Sequence, residues 1–316
     1  MLTIPTPNTN SDTKKTPHHD YHRTLKLILD QGTRVKAQAG GKNKPGSDTL
    51  TYIAPPPMRF DLQKDGFPLI TERNLAPDFK KAPTVWKQAL GEIIGFINGA
   101  RTQEELQSYG CHWWRHWVTE RKCTKRGLET GDLGPGSYGA AFHDFPTAEG
   151  TPYNQIRNIV EQIIELPHLK THFISPWIPQ YTIRGEGKQQ KVVVCPCHGW
   201  MHILIHNGKL NLHMFQRSGD VPIGVPSNMV QYAALTMMLA QATGYEPGTY
   251  IHTISDAHIY VDQVPAVEKI LEREPRPFPT MKLKTDNKDI FKFRVEDFEL
   301  SDYNPHPGIK DIPVAI

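Results

Sequence analysis

The residues best suited to chemistry lie in the segment Val194-Cys195-Pro196-Cys197-His198-Gly199-Trp200. A proline precedes Cys197, a histidine follows it, and an alternating run typical of a β-strand continues over 200–205. This arrangement predicts a thiol at the end of a strand beside hydrogen-bonding neighbours, where its pKa can be lowered and its thiolate can act as a nucleophile. A cysteine next to a histidine also fits a purely structural role, so the choice depends on the rest of the chain.

Hydrophobic periodicity predicts the elements that position this segment. Apolar residues at helical spacing indicate helices over 21–32, 84–98, 153–166 and 227–243. The last of these is nearly all apolar, with Ser227 as the expected N-cap and Gly244 after its end, so we expect it to be central. Two alternating runs flank Asn207-Gly208, a dipeptide that favours a type I′ hairpin. Further strands are predicted near 58–62, 249–254 and 290–295.

Composition limits the class of protein. The chain has 316 residues, a formal net charge of +3 and 38% hydrophobic residues, which allows a sizeable core and gives little reason to expect nucleic-acid binding. Its four cysteines form neither a disulfide framework nor a C-x-x-C zinc pair, so we expect reduced thiols and no metal. Without a long apolar run, a soluble cytoplasmic protein with no membrane contact is predicted.

The sequence predicts one domain. Residues 1–20 are rich in Thr, Pro, Asn and Lys and are expected to be a disordered extension. Helices and strands then alternate without a repeat or a linker, so we expect a single α+β domain over 21–316 with a mixed β-sheet and a central buried helix.

Longer motifs identify a family. In chain order they are Met58-Arg59-Phe60 with Asp65-Gly66-Phe67-Pro68-Leu69, Gly131-Asp132-Leu133-Gly134-Pro135, Pro196-Cys197-His198, Gln216-Arg217-Ser218-Gly219-Asp220-Val221, Asp256-Ala257-His258-Ile259-Tyr260, Pro305-His306-Pro307-Gly308-Ile309 and Pro313-Val314-Ala315-Ile316. With these motifs the chain resembles the thymidylate synthase family from about Tyr21 to Ile316. The resemblance implies a homodimer across a face of the sheet and one-carbon transfer from 5,10-methylenetetrahydrofolate, as co-substrate, to C5 of a dUMP-type nucleotide.

The resemblance also implies roles for individual residues. Cys197 would attack C6 of the pyrimidine, and Arg217 would help to keep the thiol ionised and would face the nucleotide phosphate with Ser218. Glu92, on a mostly apolar helix, would act as general acid and base through water, because burial raises the pKa of a carboxyl. His198 would join that water network, and Tyr138 would lie near the departing C5 proton.

Further residues are implied for the base, sugar and folate. Asn228 would read uracil, since the cytosine-using members of the family have aspartate there, and His258 and Tyr260 would bind the sugar 3′-hydroxyl. The folate would be held by Asp220, Trp114 and Trp117, with the C-terminal residues, including Ala315, closing as a lid.

The chain departs from the family pattern at the phosphate and at the folate. Arginines usual at the phosphate are replaced by Lys44, Lys170 and Thr171, and lysine keeps the charge but loses the bidentate fork. On the folate side the unusual residues are Gly95, Arg115 and Ser227.

These folate-side changes bear on the product. A methyl-forming site must exclude water from the reactive methylene on the base, and the three changes could admit water. We therefore favour 5-hydroxymethyl-dUMP, of the kind that phages use for DNA modification. Thymidylate synthesis with release of dihydrofolate is the alternative, and hydroxymethylation of a cytosine nucleotide is a further one. A non-catalytic relative that binds nucleotide or RNA stays open, as does a ribonucleotide substrate.

Overall fold

A seven-stranded mixed β-sheet and a buried helix form the centre of the molecule. The computed structural model describes residues 15–36, 48–76, 84–310 and 312–314. The strands of the sheet are β1 (Thr33–Val35), β2 (Thr49–Ile53), β3 (Met58–Asp61), β4 (Phe173–Ile174), β5 (Trp200–His206), β6 (Lys209–Asp220) and β7 (Glu246–Tyr260). Their order is β1-β2-β7-β6-β5-β4, with β3 also paired to β7. The predicted α+β class with a mixed sheet is confirmed.

Nine α-helices lie in the described part of the chain. They are α1 (Asp20–Gln31), α2 (Val85–Ile97), α3 (Gln103–Ser108), α4 (Glu120–Thr124), α5 (Tyr138–His143), α6 (Gln155–Glu165), α7 (Pro179–Thr182), α8 (Gly224–Thr243) and α9 (Val264–Leu271). Two short strands, β8 (Thr280–Leu283) and β9 (Phe298–Ser301), form a separate antiparallel pair. The strand predicted near 290–295 is wrong. The 3₁₀ turn Ile290–Lys292 lies there instead.

The hairpin β5–β6 carries the segment with Cys197. Asn207 and Gly208 both have positive φ, 51° and 73°, as a type I′ turn requires, so the predicted hairpin is confirmed. Strand β6 continues far beyond the hairpin and pairs in parallel with β7, placing Ser218 opposite Asp256 and Asp220 opposite His258. This register brings two of the sequence motifs side by side.

Helix α8 connects the parallel strands β6 and β7 and is buried on nearly every side. It contacts both strands and α2, as expected for a helix that is apolar all round. It begins at Gly224, so the prediction of Ser227 as its N-cap is wrong. Pro226 is tolerated in the first turn, because the N–H groups of that turn have no acceptor within the helix. Gly244 ends it in the left-handed conformation, as predicted.

The chain already contacts the domain before Tyr21. Lys15 donates to the hydroxyl of Thr280 at 2.8 Å, and the His18 ring stacks on Phe278 at 5.2 Å. The packed part of the chain therefore begins earlier than the boundary placed at residue 20 by the sequence pattern.

Candidate active site

Cys197 lies in the loop before β5, and both its backbone N–H and its backbone carbonyl are hydrogen-bonded. Its N–H donates to the hydroxyl of Tyr138 at 2.7 Å, and its carbonyl accepts from the N–H of Arg217 at 2.8 Å. Gly199 follows with φ of 102°, and a Cβ there would lie 2.9 Å from the Tyr232 hydroxyl, so this turn into the strand requires glycine. The loop therefore fixes the thiol at the end of the strand, as the sequence predicted.

The Arg217 side chain is the only cation in the described residues that donates a hydrogen bond to the Cys197 thiol. Its Nη2 lies 3.3 Å from Sγ and 3.0 Å from the carbonyl oxygen of Cys195, and its Nε donates to the carbonyl of Pro196 at 2.7 Å. Burial raises the pKa of the Cys197 thiol, and the guanidinium opposes that rise without overcoming it. Arg217 therefore acts on the thiol in the direction that the sequence analysis expected, and burial outweighs it in the unliganded protein.

His198 is a buried neutral ring beside the thiol. It stacks on Tyr138 with ring centroids 4.5 Å apart, and its Nδ1 is hydrogen-bonded to the Tyr232 hydroxyl at 2.6 Å. Burial, with a smaller contribution from Arg217, lowers the pKa of His198 to about 3. It can therefore relay a proton or hold water, and it adds no charge next to Cys197.

Glu92 is a buried carboxylate with three donors. Oε1 accepts from the indole N–H groups of Trp113, at 2.7 Å, and Trp114, and Oε2 accepts from the amide of Gln231. Burial raises the pKa of Glu92 to about 7, although these hydrogen bonds act in the opposite direction. A carboxyl that titrates near neutrality in a dry site is suited to general acid and base catalysis.

Asn228 faces the same region from the first turns of α8. Its Oδ1 accepts from Nε2 of Gln216 at 3.1 Å, and its Nδ2 donates to Oε1 of Gln231 at 2.9 Å. Gln231 therefore joins Asn228 to Glu92 through a single side chain. One acceptor lone pair and one N–H of the Asn228 amide remain available for a ligand.

The parallel register of β6 and β7 assembles a second polar group. The Ser218 hydroxyl donates to Asp256 at 2.8 Å, and Nδ1 of His258 lies 3.3 Å from the same carboxylate oxygen. His258 and Tyr260 lie edge to face with centroids 5.3 Å apart. Asp256, which the sequence analysis did not single out, thus ties the predicted phosphate residue to the predicted sugar residues.

Asp220 connects to the C-terminal segment. The amide of Gln263 donates to its carboxylate at 3.1 Å and also to the carbonyl of Pro313 at 2.9 Å. Burial raises the pKa of Asp220 to about 6, and the Gln263 hydrogen bond moderates that rise. The Gln263 amide therefore links Asp220, and any ligand bound to it, to the C-terminal segment at Pro313.

Several predicted residues lie apart from this group or outside the described residues. Lys44 and Ala315 fall outside them. Lys170 is exposed at the edge of the sheet, where its carbonyl accepts from His202 at 3.0 Å. Trp117 lies under the ammonium of Lys122 at 4.5 Å, one turn away from the tryptophans that bind Glu92.

The folate-side departures do not all act as expected. A Cβ at Gly95 would lie 2.8 Å from Leu106, so that space is filled by α3 and is not open to water. Arg115 is exposed and donates to the ring of His116 at 3.2 Å. Ser227 is half-buried in the first turn of α8, next to Asn228.

Sequence reasoning missed Trp113, Gln216 and Gln231 as parts of the site. A signal existed for Gln231, since a glutamine inside a helix buried on all sides needs hydrogen-bond partners. In the described residues, no group of three or more His, Cys, Asp or Glu side chains could hold a metal ion. In that same part of the chain, no helix has the length and apolar content needed to span a bilayer.

Comparison with known families agrees with this geometry. The family model described as thymidylate synthase matches residues 19–316, which is nearly the whole chain. The match includes the loop of Cys197, the strands β6 and β7 and both helices that carry Glu92 and Asn228. The chain belongs to the thymidylate synthase family of one-carbon transferases, which act on dUMP with methylenetetrahydrofolate as co-substrate.

Proposed function

We propose that this enzyme transfers a one-carbon unit to C5 of dUMP through a bond between Cys197 Sγ and C6, and that water completes the reaction to give 5-hydroxymethyl-dUMP. A nucleotide of this kind would serve DNA modification of the phage type. The single observation that carries the covalent step is the 3.3 Å contact between Arg217 and the Cys197 thiol. Soft nucleophiles such as thiolates suit covalent catalysis of this kind.

Cys197 must lose its proton before or during attack, because its thiol pKa is raised in the free protein. A bound phosphate would draw Arg217 and Ser218 toward the nucleotide, and the proton would leave through the polar groups around the loop. Tyr138, whose hydroxyl accepts from the Cys197 N–H, and His198, which stacks on Tyr138 at 4.5 Å, would be part of this route. The thiolate is thus formed when substrate is in place, which protects it from other reactions.

Asn228 and Glu92 would act on the base. The free lone pair and N–H of the Asn228 amide match the N3–H donor and O4 acceptor of uracil. Glu92, with its pKa near 7, would exchange a proton with O4 through water. His258 and Tyr260 would bond the sugar hydroxyl, and Asp256 would orient His258.

The residues present fit a reduced folate. 5,10-Methylenetetrahydrofolate supplies the carbon, and in the methyl-forming reaction it also supplies the hydride. Asp220 offers a buried carboxylate to the N–H groups of a pterin, and Trp114 offers apolar surface. Trp117, whose ring faces Lys122, would contact the folate farther from Glu92. Gln263 would couple Asp220 to the closing C-terminal segment.

The hydroxymethyl product is supported by polar groups near the folate side. Arg115 and His116 follow directly on Trp114, and Ser227 precedes Asn228, so water has hydrogen-bond partners there. The alternative, thymidylate synthesis, is favoured by the filled space at Gly95 and by Trp114, which is only 7% exposed. A cytosine nucleotide as substrate has less support, because Asn228 presents the uracil pattern.

Product analysis decides between the two outcomes. The enzyme is incubated with dUMP and methylenetetrahydrofolate, and both the nucleotide mass and the folate absorbance are followed. Hydroxymethylation leaves tetrahydrofolate and adds CH₂O to the nucleotide, whereas dihydrofolate as the only folate product would overturn it in favour of thymidylate synthesis. Failure to consume dUMP at all would refute the proposed transfer.

We also propose a homodimer across the outer face of the sheet. Phe173 and Phe215 are 52% and 38% exposed, and Trp177 stacks on Trp200 at 5.9 Å on the same side. A second copy would cover these rings and could bring its Lys170 to the phosphate beside Arg217.

Mixed dimers test this arrangement. A Cys197→Ser enzyme and a Lys170→Ala enzyme should each be deficient, whereas a dimer with one subunit of each kind would contain one complete site. Recovery of activity on mixing supports the shared site. No recovery, with light scattering showing mixed dimers, would place Lys170 outside the partner's site.

A further inference from the structure

Six buried polar side chains form a continuous hydrogen-bonded row from Glu92 to Tyr250. After Glu92, Gln231 and Asn228, the row continues from Gln216 Oε1 to Nε2 of His252 at 2.7 Å, and from His252 Nδ1 to the Tyr250 hydroxyl at 3.0 Å. Every member is at most 7% exposed: Glu92, Gln231, Asn228, Gln216, His252 and Tyr250. The polar atoms of these side chains must hydrogen-bond to one another, since they have no access to bulk water.

The direction of the row is fixed by acceptors that cannot donate. The ionised Glu92 carboxylate only accepts, so Gln231 must turn its Nε2 toward it and its Oε1 toward Asn228. Asn228 must then present Nδ2 to Gln231 and Oδ1 to Gln216. No other choice of amide orientations satisfies these bonds from the Glu92 end.

The opposite end gives the same direction independently. Nε2 of Gln216 also donates to the backbone carbonyl of Ser218 at 3.0 Å, and a carbonyl only accepts. Oε1 of Gln216 must therefore receive the Nε2–H of His252, whose Nδ1 receives the Tyr250 hydroxyl proton. Burial lowers the pKa of His252 to about 3, so the ring is neutral and has a single tautomer available for this pattern.

We propose that Gln231, Gln216 and His252 are positioning residues that hold the Asn228 amide in one orientation, with Gln231 linking that orientation to the Glu92 carboxylate. The consequence concerns which base is accepted, and it rests on the proposed role of Asn228 as base reader. An amide in the observed orientation offers its remaining lone pair and N–H in one spatial order. Rotating it by 180° exchanges them and would suit the acceptor N3 and donor amino group of cytosine instead of uracil.

Asparagine alone does not specify uracil, because its two ends have nearly the same shape. Specificity arises because a rotated Asn228 amide would leave buried polar groups of Gln216 and Gln231 without partners, and each unpaired buried group is unfavourable. The row therefore supplies the rejection of cytosine that the Asn228 side chain by itself does not.

A matched pair of substitutions at Gln231 tests the link. Gln231→Glu keeps an acceptor facing Asn228, while Gln231→Met keeps the length and apolar volume but removes both hydrogen bonds. The ratio of the dissociation constants of dCMP and dUMP, measured by calorimetry without folate, should stay close to wild type in Gln231→Glu and fall about tenfold in Gln231→Met.

A second readout separates this role from bulk packing. Both substitutions remove the amide donor that lowers the pKa of Glu92, so both should shift the acidic limb of the pH–rate profile upward. Gln231→Glu should shift it further, because it places a second carboxylate beside Glu92. An unchanged dCMP to dUMP ratio in Gln231→Met would overturn the proposal. Absence of dUMP binding to the wild-type protein would instead refute the proposed function, so the two failures are distinguishable.

The tautomer of His252 can be measured in the wild-type protein without any substitution. Its ¹⁵N resonances should show Nε2 protonated and Nδ1 unprotonated throughout the range where the protein is folded and Glu92 is ionised. Protonation at Nδ1 would contradict the direction of the row and would overturn the proposal.

Discussion

The guanidinium of Arg217 and the thiol of Cys197 lie 3.3 Å apart, and the same Nη2 also donates to the carbonyl of Cys195. Two carbonyls and one sulfur therefore share the donors of a single cation. This explains why Arg217 only moderates the effect of burial on the Cys197 pKa. The loop carbonyls hold the Arg217 guanidinium in place. Its effect on the Cys197 pKa would increase if those carbonyl hydrogen bonds were broken.

Removing the cation should raise the thiol pKa further. We expect Arg217→Leu to raise the pKa of Cys197 further, because the guanidinium that favours the thiolate is lost. The pH dependence of alkylation by iodoacetamide measures this, in a Cys195→Ser background so that a single partly accessible thiol is followed. An equal pKa in both proteins would show that Arg217 does not act on the thiol.

Cys197→Ser should lose catalysis and keep binding. A serine hydroxyl is a much weaker nucleophile toward a pyrimidine C6, so turnover should fall by at least about 10³-fold while the dUMP dissociation constant changes little. Steady-state rates and calorimetry give the two quantities, with Cys195→Ser as the matched control. Near-normal turnover of Cys197→Ser would remove the covalent step from the mechanism.

The Glu92 carboxyl should make stability depend on pH. Its folded pKa, about 7, is raised above the ordinary value of 4.5, so folding favours the protonated form. This contribution to the free energy of unfolding is complete below about pH 4.5 and is lost as the pH rises through 7. The free energy of unfolding should fall by about 3 kcal/mol over that range.

Urea unfolding at pH 5 and pH 8.5 tests this linkage. The stability of Glu92→Gln relative to wild type should increase between the two pH values, since glutamine does not ionise. A constant difference between the two proteins across this range would contradict the raised pKa.

Asn228→Asp should change the preferred base. A protonated or ionised carboxyl offers an acceptor to the cytosine amino group, and it clashes with the uracil O4 where the amide N–H donated. We expect the ratio of kcat/KM for dUMP over dCMP to fall at least about tenfold. Asn228→Ala is the control, since it should weaken both nucleotides without favouring cytosine.

Gln263→Ala should affect the folate more than the nucleotide. Gln263 holds Asp220 and the Pro313 carbonyl with one amide, so its loss frees the chain end and leaves a buried carboxylate short of a donor. We expect the KM for methylenetetrahydrofolate to rise about tenfold while the dUMP dissociation constant is unchanged. An equal loss for both ligands would indicate a general structural effect instead of a lid contact.

Local sequence signals predicted the elements where local physics dominates. The turn at Asn207-Gly208 and the end of α8 at Gly244 were both predicted, because positive φ favours these residues at little cost. The continuation of β6 through Arg217 was not visible in the pattern. Polar side chains needed by the site interrupt the alternation there, and only pairing with β7 makes the segment a strand.

The sequence by itself determined which chemical groups the protein has: a cysteine after proline, a carboxylate in an apolar helix, and the ordered motifs of the thymidylate synthase family. Only the tertiary structure decided how those groups behave. Burial raises the pKa values of Cys197 and Glu92, and the meeting of α2 with α8 and of β6 with β7 gives Glu92, Asn228 and Ser218 their partners. Desolvation and hydrogen-bond direction depend on contacts between residues far apart in the chain, which no local pattern specifies.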